Sequence, residues 1–209
     1  TAGGSIPWGA FARSREVQAL AAAHAAQNWG LYLLLAWLPT YFSRAYGFGV
    51  AASATSSVGP FLAGIVAGNT GGILSDWIIE QKLLSTTNTR KLFQTVACLG
   101  PAFCMHLLAQ VPDKPEQAIV LFTLAGGLGA FSSSGHASGT QDLARKYTGL
   151  IYGATSALSV LAGTASTYTT GYLLDITGQF SIIFELSAAV YTFGALFFLL
   201  NFQSRRIFD

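Results

Sequence analysis

The chain has 209 residues, of which 52% are hydrophobic and only 10% charged, against about 25% charged in an ordinary soluble domain. With a mean hydropathy of +0.48 and 23 glycines, this composition excludes a soluble enzyme and fits helices packed in a bilayer, where small residues let backbones approach. The formal charge of +2, from 11 Lys and Arg against 9 Asp and Glu, is too small and too dispersed for the basic stripe of a nucleic-acid binder.

Charges mark the ends of the expected spans, because an ionised group at the bilayer centre is costly. Apolar runs of about twenty residues or more predict spans at about 17–42, 54–79, 92–111, 116–139, 149–172 and 181–203. The expected fold is an all-α membrane protein with six transmembrane helices. It divides into an amino-terminal segment 1–16, a six-helix bundle 17–203 and a carboxy-terminal tail 204–209. With alternate loops assigned to opposite faces, Arg13, Arg15, Lys82, Arg90, Lys91, Arg145, Lys146, Arg205 and Arg206 fall on one face, and only Arg44 and Lys114 on the other. The positive-inside rule then places both termini on the cytosolic side or its organellar equivalent.

Span one carries Gln27 and Asn28 midway, with His24 one turn before and Tyr32 one turn after Asn28. Positions 24, 28 and 32 share a helix face. Asn and Tyr side chains donate hydrogen bonds, so this face either lines an aqueous pathway for an anion or bonds to a neighbouring helix. Span two has Gly64, Gly68 and Gly72 at four-residue spacing, which permits close helix contact. Pro60, and Pro101 in span three, are expected to kink their helices. Cys98 and Cys104 in span three are separated by roughly 9 Å along a helix, beyond disulfide reach. Span four brings Ser132, Ser133, Ser134 and His136 together. His136 either relays a proton or is a structural histidine bonded to a backbone carbonyl. The sequence has no HExxH, P-loop, GxSxG or spaced Cys/His set, so neither an enzyme, a cofactor nor a metal site is expected.

Between spans two and three, Gly72-Ile73-Leu74-Ser75-Asp76 is followed by Arg90-Lys91 at the start of the next helix. This resembles the G-x-L-[AS]-D…R-K loop signature of the major facilitator superfamily. The resemblance implies that Gly72, Asp76, Arg90 and Lys91 form a conformational latch, Asp76 meeting the basic pair or an opposing helix end. Asn28-Trp29-Gly30-Leu31-Tyr32-Leu33-Leu34 and Trp37-Leu38-Pro39-Thr40-Tyr41-Phe42 resemble motifs of the anion/phosphate symporter branch. That branch includes sialin, the vesicular glutamate transporters and the plant plastid phosphate transporters. Arg90-Lys91-Leu92 with Gln94, Gly100-Pro101-Ala102, Ser134-Gly135-His136, Gln141-Asp142-Leu143 with Lys146-Tyr147, and Thr170 to Asp175 follow in the same order.

The match covers the family's carboxy-terminal six helices. At Gln27 the vesicular branch has arginine and the plant branch commonly histidine, so a cationic contact is missing here. Ser156-Ala157-Leu158-Ser159 replaces the usual N-T-x-G after Gly153. The resemblance implies the carboxy-terminal half of a secondary transporter for inorganic phosphate or organic anions, coupled to sodium or protons. Gln27, Asn28, Tyr32 and His136 would lie on the substrate pathway. Its partners would be the lipid bilayer, an amino-terminal half or larger membrane complex, and an anionic small molecule. Thr140 to Asp142 resembles the plant form, which implies a plastid membrane, thylakoid or envelope. The alternative is a transporter-derived structural subunit of a larger complex, without transport.

Overall fold

A computed structural model describes residues 6–110 and 112–208. Residues 1–5, 111 and 209, which belong to the expected amino-terminal segment, span three and tail, lie outside the described residues. Regular structure among the described residues is entirely helical. A short α1 (Trp8–Arg13) leads into α2 (Arg15–Tyr46), followed by α3 (Val50–Ser56), α4 (Gly59–Glu80), α5 (Thr86–Ala109) and α6 (Pro115–Ala130). A 3-10 turn (Phe131–Ser133) precedes α7 (His136–Leu143), α8 (Thr148–Thr177) and α9 (Phe180–Asn201).

Local chemistry sets the boundaries. Ser14 and Ser85 accept backbone N–H groups of Val17 and Asn88 at 3.3 and 3.2 Å, capping α2 and α5. Gly47 and Gly178, both at φ +68°, end α2 and α8 in the left-handed conformation that glycine adopts without a Cβ penalty.

Four helical segments are long and apolar enough to cross a bilayer: Val50–Glu80, Thr86–Ala109, Pro115–Leu143 and Phe180–Asn201. The other two expected spans correspond to α2 and α8, of 32 and 30 residues, or roughly 45–48 Å of helix. Their length suffices, and their more polar composition has a structural cause. The two helices face each other through a seam of buried Thr155, Ser159, Ser166 and Thr170. Across it Asn28 Nδ2 donates to Ser159 Oγ at 2.8 Å, and Ser166 Oγ donates to the Trp29 carbonyl at 2.8 Å. Polar groups satisfied between helices need no water, so the pair tolerates a composition that lipid-facing helices do not.

Two expected continuous spans are interrupted. Ser57 and Val58 separate α3 from α4, and Pro60 sits in the first turn of α4, where its missing N–H leaves no bond unmade. Pro60 therefore marks a helix start and not a kink within one helix, whereas Pro101 lies inside the continuous α5. Span four breaks at Ser134 and Gly135. Carbonyls at the break are taken up by serine hydroxyls: Ser133 donates to Ala130 O at 3.0 Å and Ser138 to Ser133 O at 2.8 Å. Gly135 permits this course because Gln94 presses against it. A Cβ there would lie 2.5 Å from Gln94 Oε1 and 3.0 Å from its Cα.

The core is divided along α2. Near its start, Leu20 joins Phe11, Leu143, Ile151, Phe198 and Phe202 in one buried cluster. Near its end, Leu38, Tyr41 and Phe42 join Met105, Phe122 and Phe184 in another. His24, Gln27 and Asn28 of α2 lie between them.

The basic end of the molecule is also tied together. Arg90 at the start of α5 meets Asp142 at the end of α7, and Arg205 beyond α9 meets Glu16 at the start of α2. Arg44 lies at the opposite end of α2. With cysteine introduced at Arg44 or Arg206, an impermeant thiol reagent on sealed vesicles should label one position from outside and the other only after permeabilisation. Labelling of both from the same side would contradict the orientation.

Candidate functional site

Midway along α2, between the two core clusters, lies a cavity of about 570 Å³ lined by His24, Gln27 and Asn28 from α2, His136 from α7, and Tyr152 and Tyr191 from α8 and α9. The remaining wall comes from α4, α6 and the 3-10 turn, including Pro60, Gly64, Gly126 and Ser132. Both helix interruptions therefore border the cavity. None of the described residues lining it is Lys, Arg, Asp or Glu.

The structure brings Gln27, Asn28 and His136 to this cavity, but not Tyr32. The Tyr32 ring packs on Gly163, where a Cβ would fall 2.6 Å from its Cγ. Asn28 is committed to Ser159, and Gln27 Nε2 donates to the Ala97 carbonyl at 2.8 Å. These amides thus join helices and line the cavity at once. His136 is held by Gln94, whose Oε1 accepts the His136 backbone N–H at 2.9 Å and lies 3.2 Å from Nδ1. Its partner is thus a side-chain amide, where a backbone carbonyl was the expected structural alternative. His24 Nδ1 lies 3.3 Å from Thr155 Oγ1, and the His24 and His136 rings are 4.7 Å apart.

The four latch residues do not form one cluster in this conformation. Arg90 is buried, with Nε donating to Asp142 Oδ2 at 3.0 Å and Nη1 to Ser75 Oγ at 3.0 Å and Ser134 O at 3.1 Å. Helix geometry turns adjacent residues about 100° apart, so Ser75 faces Arg90 while Asp76 is exposed on α4. Asp76 makes no ion pair among the described residues. Lys91 is half-buried, and Gly72 has open space where a Cβ would be.

Asp142, the residue that engages Arg90, was legible only as part of the Gln141-Asp142-Leu143 match, and Gln94 only as the residue accompanying Arg90-Lys91-Leu92. The carboxylate of Asp142 also accepts from Ser204 Oγ at 2.9 Å. Ser204 N–H in turn donates to Thr87 Oγ1 at 2.9 Å, and the backbone N–H of Ile207 donates to Leu143 O at 2.9 Å. The tail is thereby fastened over the basic end.

Arg205 completes that fastening, with Nε and Nη2 donating to Glu16 Oε1 at 3.0 and 2.7 Å. Burial opposes ionisation of Glu16, but bonds from its own backbone, Ser14 and Arg205 outweigh it and hold the carboxyl below its ordinary value of 4.5. A carboxyl depressed in the folded state adds stability that is present above the unfolded value and lost as pH falls through the folded one. The Tm advantage of wild type over Glu16→Gln, followed by circular dichroism, should therefore shrink as pH drops below 4.5. An advantage constant down to acidic pH would contradict this.

No family model matches the chain. It is 35% identical over 205 residues to the sodium-dependent phosphate transport protein 1, chloroplastic, of Arabidopsis thaliana, covering 98% of this chain and 40% of that protein. It is also 35% identical over 204 residues to the chloroplastic ascorbate transporter of Arabidopsis thaliana, covering 98% of this chain and 37% of that one. Against probable anion transporter 1, chloroplastic, of Oryza sativa subsp. japonica, identity is again 35%, over 98% of this chain and 38% of the relative. The chain spans about two-fifths of the length of these curated relatives. The kinship is with transport proteins and not with enzymes.

Proposed function

We propose, because this plastid membrane chain is homologous along nearly its full length to anion and phosphate transporters of the major facilitator type, that it is the carboxy-terminal half of such a transporter. Its substrate is inorganic phosphate or another small anion, moved by alternating access with sodium or proton coupling. The observation that carries this reading is the cavity itself. It sits midway along α2, is bordered by two interrupted helical segments and presents His24, Gln27, Asn28 and His136 without a carboxylate among the described lining residues. Broken helices beside a central site are the common arrangement of secondary transporters.

A single half supplies one wall of such a pathway, and the opposing wall comes from a second half. The basic end acts as the latch. Arg90 and Asp142 clasp α5 to α7 in this conformation, while Asp76 on the outer face of α4 meets a charged helix end of the opposing half. Asp76→Asn is then a substitution that slows turnover without disturbing the fold.

Proteoliposomes provide the test. The chain alone should show no saturable uptake of labelled phosphate. Co-reconstituted with the part of the Arabidopsis phosphate transporter that lies outside the matched region, it should. Saturable uptake by the chain alone would overturn the half-transporter reading. Absence of uptake in both, with the complex formed, would favour a structural subunit.

A further inference from the structure

The two cavity histidines are posed in the same way. Gln94 Oε1 can only accept, so His136 Nδ1 at 3.2 Å carries a hydrogen. The hydroxyl hydrogen of Thr155 is already donated to the Tyr152 carbonyl at 3.0 Å, so His24 Nδ1 at 3.3 Å from Thr155 Oγ1 carries one too. In the neutral rings both Nε2 atoms are therefore bare acceptors, and neither has a hydrogen-bond partner among the described residues. A lone pair repels an anion. Protonation of one Nε2 turns an acceptor into a donor and adds the positive charge that the described lining otherwise lacks. With ring centroids 4.7 Å apart, a first imidazolium opposes a second, and the pair titrates as one coupled unit.

We infer that His24 and His136 form a single-proton site that admits an anion to this cavity only together with one proton, an inference that rests on the anion reading above. The proton adds to Nε2 of one ring from the aqueous side on which the anion enters, forming an N–H bond. It leaves to water when the anion departs. The other groups facing the pair do not supply this charge. Gln27 and Asn28 come from α2, Gln94 from α5, Tyr152 and Thr155 from α8, and Tyr191 from α9, and the Cys98 thiol lies behind Gln94. The described walls from α4 and α6 are apolar. The nearest ion pair behind α7 is Arg90 with Asp142, in which each charge offsets the other.

The chain has three histidines, and His106 is paired with Glu185 on the exposed surface, which makes it an internal reference. Nitrogen-15 histidine spectra of the chain in lipid nanodiscs distinguish neutral rings from imidazolium. Phosphate added at pH 6 should convert one ring of the pair, and one only, to imidazolium. In His136→Gln and in His24→Gln, phosphate affinity should fall at least tenfold or the remaining ring should take the whole charge. Secondary structure and Tm of each variant are measured alongside, and His24→Asn serves if His24→Gln misfolds. A pair that stays neutral when phosphate is bound, or two rings charged together, would overturn the inference. If phosphate does not bind to the chain alone, a phosphate-free pH series judges the proton site by itself, and the anion reading is judged separately by uptake in the co-reconstituted complex. In that series, one imidazolium shared by the two rings down to pH 5 upholds the proton site; none or two refutes it.

Discussion

Asp142→Ala should lower the unfolding temperature by roughly 5–10 °C, corresponding to about 2–3 kcal/mol in a chain of this size. Arg90 and Asp142 side chains are only 10% and 19% exposed, and removing the carboxylate leaves the guanidinium with the neutral Ser75 and Ser134 oxygens alone. A buried charge stripped of its counter-ion costs more than the pair was worth. The same carboxylate anchors Ser204, so the tail should loosen as well. Asp142→Asn retains an acceptor oxygen for Arg90 and should lose less, whereas Asp76→Asn on the exposed face of α4 should leave Tm nearly unchanged. A thiol-reactive dye reports all three, because Cys98 and Cys104 are free and buried and react on unfolding. Equal transitions for wild type and Asp142→Ala would show that the clasp holds nothing.

Gly126→Ala should destabilise the bundle by about 2 kcal/mol, as overpacking does when neither neighbour can rotate away. The added Cβ would stand 2.5 Å from the Pro60 carbonyl oxygen and 2.7 Å from the Pro60 Cα. Both are backbone atoms, so α4 and α6 must separate beside the cavity. Gly72→Ala is the matched control. Its Cβ meets nothing within 4 Å, and replacing a mid-helix glycine by alanine favours the helix by about 0.5–1 kcal/mol. The same dye measurement should show Gly126→Ala melting several degrees below wild type and Gly72→Ala at or slightly above it. A Gly126→Ala protein as stable as wild type would mean that α4 and α6 are not held in this contact. In the latch reading, Gly72→Ala keeps its stability and loses turnover.

Much of the architecture follows from the order of residues. Helical segments occur where apolar runs were expected, because bilayer thickness and the cost of buried charge act on contiguous stretches of chain. The gathering of basic residues at one end follows from their alternation between loops. Gln27, Asn28 and His136 stood out for the same local reason: each is a polar group in an apolar run.

What each polar group touches was decided by tertiary structure. The sequence sets Asp76 beside the Arg90-Lys91 pair in one motif, yet Arg90 takes Asp142, 52 positions away, because the break at Gly135 and the packing of α7 carry that carboxylate to the start of α5. Tyr32 shares a face with Asn28 along α2, yet it turns onto Gly163 of α8 and leaves the cavity to His24 and Tyr152. Pro60 marked the interruption of span two, but the break in span four was hidden by uninterrupted hydropathy, which counts apolar side chains and is blind to a glycine against which Gln94 can lean. Hydropathy and charge are sums over neighbours in sequence, so the chain alone determined where helices lie and which end is basic. Hydrogen bonds and ion pairs need two groups within about 3 Å, and only the packing of helices distant in sequence decided which groups those are.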